Sequence, residues 1–186
     1  MDQRELVERA RRGDHDAFAQ LVEASIGRLE AVARLILRDP ELARDAVQDA
    51  YIRAWRDLPS LRDPDRIDHW LHRLTVNASL DVVRRRRRRP IEVDLAPMSS
   101  PIVADESRHV ADRDTLERGF RRLRPEQRAI LVLHYYLGLP ASALAETLEI
   151  PQGTAQSRLY RALDDLRAAL AADERTTASF RHEVVA

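Results

Sequence analysis

The chain contains no cysteine and no lysine, and only five of its 186 residues are glycine. Without cysteine it can form no disulfide framework, thiol nucleophile or zinc ribbon. With so little glycine it has no glycine-rich phosphate loop. No apolar run approaches the roughly 18 residues that a membrane span needs, and the charged N-terminus MDQRELVERARRGD lacks the apolar core of a signal peptide. These absences favour a cytoplasmic protein without membrane insertion.

Charge is balanced over the whole chain but not along it. All 31 basic residues are arginine, and 31 acidic residues oppose them. Residues 1–89 carry 19 arginines and 16 acidic residues, and residues 113–172 carry nine and seven, whereas residues 90–112 carry one and five. Two mildly basic blocks therefore flank an acidic connector. The planar arginine fork donates two parallel hydrogen bonds, which suits phosphate and base recognition.

The first block shows four helical segments and no strand pattern. Apolar residues recur at helical spacing over about residues 2–12, 14–36, 41–57 and 67–89. Asp2 and Glu5 resemble a capping box for the first helix, and Gly13 ends it. Asp39-Pro40 ends the second helix and starts the third. Three prolines and the lack of periodicity indicate that residues 90–111 are an extended linker.

The second block ends in a helix-turn-helix pattern. Pro140 and Pro151 open two short helices, and Glu149-Ile150 forms the turn between them. The second helix has a polar face opposite its apolar stripe, made of Thr154, Gln156, Ser157, Arg158 and Arg161. Such groups read base edges and phosphates when this helix enters the major groove. The pattern favours DNA binding, and an αα-hairpin that only packs is the alternative.

These patterns predict an all-α protein. Two helical domains, residues 1–89 and 112–172, are joined by the flexible acidic linker, residues 90–111. A tail without a packing pattern, residues 173–186, follows and is expected to fray.

Four stretches, in register across both blocks, resemble the extracytoplasmic-function (ECF) sigma factors of bacterial RNA polymerase. They are DAFAQLV at 16–22, RDAVQDAYIRAWRDL at 44–58, HWLHRLTVNASLDVVRRRRRR at 69–89 and IPQGTAQSRLYRALDDLR at 150–167. The resemblance covers about residues 1–172. It implies a σ2 domain that opens and reads the promoter −10 element and a σ4 helix-turn-helix domain that reads the −35 element. The chain would direct transcription initiation as a specificity subunit, without a cofactor or catalytic residues of its own.

The resemblance assigns core polymerase binding to the helix at 44–58. In similar sigma factors this helix docks on a basic coiled coil of the β′ subunit. Its polar face would supply the contacts, with Asp45, Gln48, Asp49 and Arg53 as candidates beside Ile52. A merely solvated face is the alternative for such a pattern. The helices of 116–136 resemble the part that holds the polymerase β flap, with Phe120, Leu123 and Leu131 as an apolar seat or simply core.

The resemblance assigns −10 recognition to the loop at 58–68 and the helix after it. In the family they capture a base turned out of the opening duplex, which offsets unstacking only for the right base. The loop candidates are Arg62, Asp63, Arg66 and Asp68, and the helix candidates are Arg73, Asn77, Arg84, Arg85, Arg87 and Arg88. Six consecutive arginines, 84–89, wrap the helix end, so about half can contact phosphate together. Three such contacts imply a salt slope near −3.

Three residues of the second block depart from the family pattern. Ala143 replaces the usual Glu, Glu149 takes a turn position where Gly is common, and Ala155 replaces Val or Ile. A non-glycine residue in a left-handed turn costs about 1 kcal/mol, and Val-to-Ala in a core loses somewhat more. We therefore expect a loosened σ4 domain with a weak or unusual −35 contact.

Two other classes of protein are alternatives to a sigma factor. For an enzyme or metal protein, His69 and His72 are the only close histidine pair, and no third ligand lies at a plausible spacing. A stand-alone helix-turn-helix regulator is the stronger alternative, and the 44–89 block is the feature that such regulators lack. Promoter DNA and core polymerase are the expected partners. An anti-sigma factor that masks both domains is a further partner that the resemblance implies.

Overall fold

The computed structural model describes residues 2–88 and 109–183, with side chains described for residues 2–88 and 115–172. The chain divides into two compact units, Met1–Ser99 and Ser100–Ala186, here called unit 1 and unit 2. All regular structure in the described ranges is helical, which confirms the predicted fold class. Arg89 and nearly all of the predicted linker, residues 90–108, lie outside the described residues. No helix within the described ranges is both long and apolar enough to cross a membrane.

Unit 1 contains α1 (Gln3–Arg11), α2 (His15–Leu37), α3 (Pro40–Asp57) and α4 (Ile67–Arg88). Two 3-10 turns, Leu58–Ser60 and Pro64–Arg66, lie in the connection between α3 and α4. The three longer helices pack on one another, and α1 packs on α2 and on the second 3-10 turn.

Acidic caps set the starts of α2 and α3. The Asp14 carboxylate accepts a hydrogen bond from the backbone N–H of Ala17 at 3.0 Å. Asp39 accepts from two backbone N–H groups, those of Glu41 and Leu42, at 3.0 and 3.1 Å. These bonds satisfy N–H groups that have no partner inside the helix. The predicted stop-and-restart at Asp39 is therefore confirmed.

The start of α1 differs from the expectation. Asp2 occupies the N-cap position in extended backbone, but its side chain makes no capping hydrogen bond. The capping box predicted from Asp2 and Glu5 was therefore wrong, because residue spacing alone does not fix the rotamer that brings a carboxylate onto the backbone N–H groups.

Small side chains allow α3 to approach α4 closely. Ala46 and Ala50 of α3 pack against Ala78 and Val82 of α4, and all four are buried. Leu42 of α3 and Leu74 of α4 pack against this cluster from its sides, and a polar edge of α3 lies beside one of α4, where Arg53 bonds to Asp81. This packing positions the charged groups described below.

Unit 2 contains α5 (His109–Arg122), α6 (Pro125–Leu131), α7 (Ala141–Leu148) and α8 (Gln152–Glu183). The π-helical turn Val132–Tyr136 continues α6. α8 packs on α5, α6 and α7. Its backbone stays helical to Glu183, past the point where the apolar pattern ends at Ala172. The alanines of the segment AADERTTASFR favour a helix.

Two predicted contact residues of unit 2 belong to its core. Leu123 is 4% exposed and Leu131 is 2% exposed, so neither can seat a polymerase element. Phe120 is only partly buried, and Leu116, one turn before it, is 46% exposed. The buried pair shows that helical spacing identifies an apolar face but not what covers it.

Candidate polymerase and promoter interfaces

The predicted polymerase face of α3 holds two kinds of residue. Asp45 and Gln48 are exposed. Asp49 and Arg53 are about two-thirds buried and form an ion pair with each other at 2.9 Å, one helical turn apart. The first two therefore present free acceptors, whereas the second two are already occupied within unit 1.

A charged cluster joins α3 to the arginine run of α4. Arg53 donates to Asp81 of α4 at 3.0 Å as well as to Asp49. Asp81 accepts from Arg84 at 3.1 Å, and Arg85 lies 3.8 Å from Asp49. Asp81 was not among the predicted site residues. Its spacing of three to Arg84 was a usable signal, but the bond to Arg53 depends on how α3 and α4 are packed.

An apolar groove lies beside this polar edge. α2 and α3 enclose about 550 Å³, lined by Phe18, Ile26, Glu30, Arg44, Val47, Gln48, Tyr51, Ile52 and Trp55. Ile26 is 40% exposed and Ile52 is 59% exposed. The sequence placed Ile52 on a polar face and did not reveal the groove, because two helices form it. The face of α3 thus combines acceptor groups with apolar surface.

Ion pairs and a cap hold the loop between α3 and α4. Asp63 accepts from the backbone N–H of Asp65 at 3.1 Å and starts the second 3-10 turn. Asp68 pairs with Arg28 of α2 at 2.9 Å. Of the four predicted base-capturing residues, the two aspartates therefore shape the loop, while Arg62 and Arg66 are exposed.

The side of α4 that carries the predicted promoter-binding residues changes from half-buried to fully exposed along its length. Arg73 and Asn77 are partly buried, whereas Arg84, Arg85, Arg87 and Arg88 are exposed, as is Arg86. The structure therefore brings the predicted phosphate-binding arginines together at one helix end. Such a cluster attracts DNA without reading its sequence.

Within the described ranges, the two histidines of α4, His69 and His72, do not form the metal site that their spacing suggests. The buried Nε2 of His72 has no hydrogen-bond partner among the described residues. Burial is the main cause that lowers the pKa of His72; Arg28 and His69 lower it further, and Asp68 opposes them. No group of three or more His, Asp or Glu side chains in the described part of the chain is placed to hold a metal ion.

The first turns of α8 display the predicted recognition residues on one side. Gln156, Ser157, Arg158 and Arg161 are exposed and Thr154 is half-buried, while Ala155, Leu159 and Ala162 are buried. Tyr160 is 67% exposed beside them. Tyr160 was not among the predicted recognition residues, although it lies between Arg158 and Arg161 in the sequence. The helix therefore offers hydroxyl, amide and guanidinium groups from a surface held by its buried side.

The turn before α8 adopts the expected left-handed conformation without glycine. Glu149 has a φ of 53° and a ψ of 45°. The backbone N–H of Ile150 donates to the carbonyl of Ala145 at 3.0 Å and closes the turn. Ala155 is fully buried, so its side chain fills less of the core than Val or Ile would at this position. Ala143 is half-buried.

Two family models match the chain in order. Sigma-70 region 2 matches residues 21–89, within unit 1, and Sigma-70, region 4 matches residues 113–166, within unit 2. The first match includes α3, the loop and α4, and the second includes the helix-turn-helix. The class of protein is therefore an RNA polymerase sigma factor of the sigma-70 type.

Individual relatives indicate which kind of sigma-70 factor this chain resembles. The ECF RNA polymerase sigma factor SigM of Mycobacterium tuberculosis (strain ATCC 25618 / H37Rv) is 38% identical over 151 residues, which cover 81% of this chain and 75% of SigM. The solved structure of CnrH in complex with the cytosolic domain of CnrY has a TM-score of 0.61 at 26% identity and covers 92% of this chain and 98% of that one.

A second solved structure shows the same fold. The sigma factor RpoE of Bartonella quintana, in complex with the anti-sigma factor NepR, has a TM-score of 0.67 at 24% identity and covers 84% of this chain and 98% of that one. The chain belongs to the ECF family of RNA polymerase sigma factors. As such it directs transcription initiation, and a stand-alone regulator is not favoured.

Proposed function

We propose that this sigma factor binds core polymerase through α3 and reads the −10 element with the loop and α4 and the −35 element with α8. The observation that carries the proposal is the order of the two family matches, region 2 on unit 1 and region 4 on unit 2. The polymerase would perform nucleotidyl transfer, so this chain would supply specificity and no catalytic residue or cofactor. It would act in the cytoplasm, where polymerase and chromosome meet.

Transcription with purified components tests the whole proposal. Core polymerase plus the full chain should yield transcripts of defined length from particular genomic fragments, and core alone should not. Specific DNA binding should require core polymerase. The proposal is wrong if the chain alone binds one duplex specifically, as a dimer on a palindrome, while never starting transcripts with core.

Core binding would use two properties of the α3 face. Asp45 and Gln48 are exposed acceptors, and charge-assisted hydrogen bonds to arginines of a basic coiled coil are among the stronger polar contacts. The groove beside them, with exposed Ile26 and Ile52, would bury apolar surface of the partner. Asp49 and Arg53 bind each other and α4, so a polymerase contact with either would displace one of these ion pairs.

Asp45→Arg tests this face more cleanly than a change at Asp49, because Asp45 forms no described ion pair. Repulsion by the basic partner should lower core affinity about ten-fold or more. Glu23→Arg is the matched control, since Glu23 is an exposed carboxylate on α2 that forms no ion pair among the described residues. Equal core affinity of the two variants would exclude the α3 face. Thermal unfolding of both variants checks that the fold is intact.

Promoter binding by α4 would combine base capture with phosphate contacts. Exposed Arg62 and Arg66 flank the loop, and the arginine end of α4 would hold the backbone. Changing Arg86 and Arg88 together to Ala should weaken holoenzyme binding evenly across promoter sequences and reduce the salt slope by about 2. A changed preference at the −10 bases would instead assign these arginines to base reading.

The −35 contact would come from the exposed side of α8. Gln156 can bond adenine in the major groove, and Arg158 or Arg161 can bond guanine or phosphate. Gln156→Ala should relax the preference at one −35 position in a selection from randomised promoters. An unchanged preference at every position would remove Gln156 from the base-reading set.

Two further partner surfaces follow from the family. The half-buried Phe120 and exposed Leu116, one turn apart on α5, would meet the β flap, since Leu123 and Leu131 are core. An anti-sigma factor would cover the α3 face, because RpoE is described in complex with such a protein. Asp45→Arg should then weaken binding of both core and anti-sigma factor; loss of only one would separate the two surfaces.

A further inference from the structure

The charged cluster between α3 and α4 links residues with two different expected partners. Asp49 lies on the proposed polymerase face, and Arg84 and Arg85 lie at the proposed DNA-binding end of α4. The side chains of Asp49 and Asp81 are each 34% exposed, whereas those of Arg84 and Arg85 are 64% and 63% exposed. The two carboxylates are therefore held in place, and the two arginines can leave them.

Each carboxylate holds two arginines. Asp81 accepts from Arg53 at 3.0 Å and from Arg84 at 3.1 Å. Asp49 accepts from Arg53 at 2.9 Å and lies 3.8 Å from Arg85. Carboxylate and phosphate bind the same guanidinium donors. When Arg84 or Arg85 turns toward a phosphate, it exchanges its carboxylate for that phosphate.

We propose that Asp49 and Asp81 form a latch that holds Arg84 and Arg85 away from DNA in the free chain, and that core polymerase releases Arg85 by binding the Asp49 carboxylate. A basic group of the polymerase that pairs with Asp49 removes the partner of Arg85, which then binds phosphate without losing an ion pair. Coupling of this kind is reciprocal, so DNA on Arg85 also favours the polymerase contact at Asp49. This inference rests on the proposed function of α3 and α4.

The free full-length chain tests the latch directly. Its affinity for a fluorescein-labelled duplex without promoter elements is measured by anisotropy over a salt series. Asp49→Asn should raise this affinity about two- to five-fold, the range expected for one exposed ion pair, and should steepen the salt slope by up to about 1. A merely structural role for Asp49 would lower the affinity or leave it unchanged.

Two controls separate release of an arginine from loss of a negative charge. Glu23→Gln removes one exposed, unpaired carboxylate from the same unit and should raise the affinity less than Asp49→Asn. In an Arg85→Gln background, Asp49→Asn should give no gain beyond that of Glu23→Gln. A gain that persists without Arg85, or that only equals the Glu23→Gln gain, overturns the latch.

Asp81→Asn provides a second variant in case Asp49→Asn unfolds unit 1. It should raise duplex affinity through Arg84, and the gain should disappear in an Arg84→Gln background. With saturating core polymerase, Asp49→Asn should no longer improve duplex binding, because Arg85 is already released; a gain that remains contradicts release by core. Failure of the proposed function looks different: the Arg86 and Arg88 double variant would then bind the duplex as well as the wild type does.

Discussion

Unit 1 and unit 2 start some of their helices by different means. In unit 1, α2 and α3 begin at aspartates whose carboxylates accept backbone N–H groups. In unit 2, α7 begins at Pro140, whose side chain cannot cap, and α6 relies on Gln127, which accepts from the backbone N–H of Arg124 at 2.9 Å. A missing cap costs about 1 kcal/mol, so local interactions stabilise the starts of α2 and α3 more than the start of α7.

The buried hydroxyl groups of the two units also differ in their hydrogen bonding. Thr75 and Ser79 of α4 are buried, and their hydroxyls donate to backbone carbonyls one turn earlier. Thr147 of α7 is also fully buried, but its hydroxyl has no partner among the described residues. A buried hydroxyl without a bond is destabilising. Among the described residues, unit 1 in turn leaves the buried Nε2 of His72 without a hydrogen-bond partner. Substitutions in both units test which of the two is less stable.

The largest effect should come from truncating one buried leucine in each unit. Leu29 is 1% exposed and Leu144 is fully buried, so each Leu→Ala change should cost about 2–5 kcal/mol. Leu144→Ala should leave unit 2 unfolded at growth temperature, so that its unfolding transition disappears. Leu29→Ala should lower the Tm of unit 1 but leave its unfolding cooperative. Calorimetry of the full chain measures both. The comparison breaks if Leu29→Ala is the more damaging change.

Removing the unpaired hydroxyl should stabilise unit 2. Thr147→Val keeps the side-chain shape and should raise its free energy of unfolding by about 1–2 kcal/mol. Thr75→Val in unit 1 is the matched control and should be destabilising, because the Thr75 hydroxyl donates to the Leu71 carbonyl at 3.0 Å. Urea unfolding of the two variants and the wild-type chain checks the opposite signs. Equal effects at both sites would contradict the argument.

Glycine at the left-handed helix end should give the next gain. Glu149→Gly should stabilise unit 2 by about 1 kcal/mol, since glycine has no Cβ to strain at a φ of 53°. Arg38→Gly at the end of α2, where φ is 60°, sharpens the comparison. Its gain should be smaller, because Arg38 also interacts through its side chain or backbone. Thermal unfolding measures the Tm of both variants. A larger rise in Tm for Arg38→Gly than for Glu149→Gly would contradict this ranking.

The smallest effect concerns pH and only unit 1. Burial lowers the pKa of His72 in the folded state, so the unfolded chain takes up a proton first. Unit 1 should therefore keep its full stability above the ordinary histidine pKa of about 6.5 and lose stability as pH falls below it. His72→Gln should flatten that dependence between about pH 7 and 5 in urea unfolding. An unchanged slope would show that His72 does not titrate with folding.

Local sequence determined the helices, most of their ends and the family. Asp39-Pro40, Gly13 and Pro125 act within a few residues of themselves, and helical periodicity placed Ala155 and Leu159 inside and Gln156 and Arg158 outside. The four motifs that carry the resemblance are likewise continuous stretches. The roles of the named site residues remain predictions, since geometry shows where they lie and not what they bind.

Tertiary structure decided which of these residues are already occupied. The Arg53–Asp81 bond joins residues 28 positions apart, the groove needs both α2 and α3, and Leu123 is core because the folded unit buries it to 4% exposure. Helical periodicity orients a side chain about its own axis, but the crossing and register of two helices decide what it meets. Those two quantities depend on the whole packed unit and cannot be read from any single stretch of the chain.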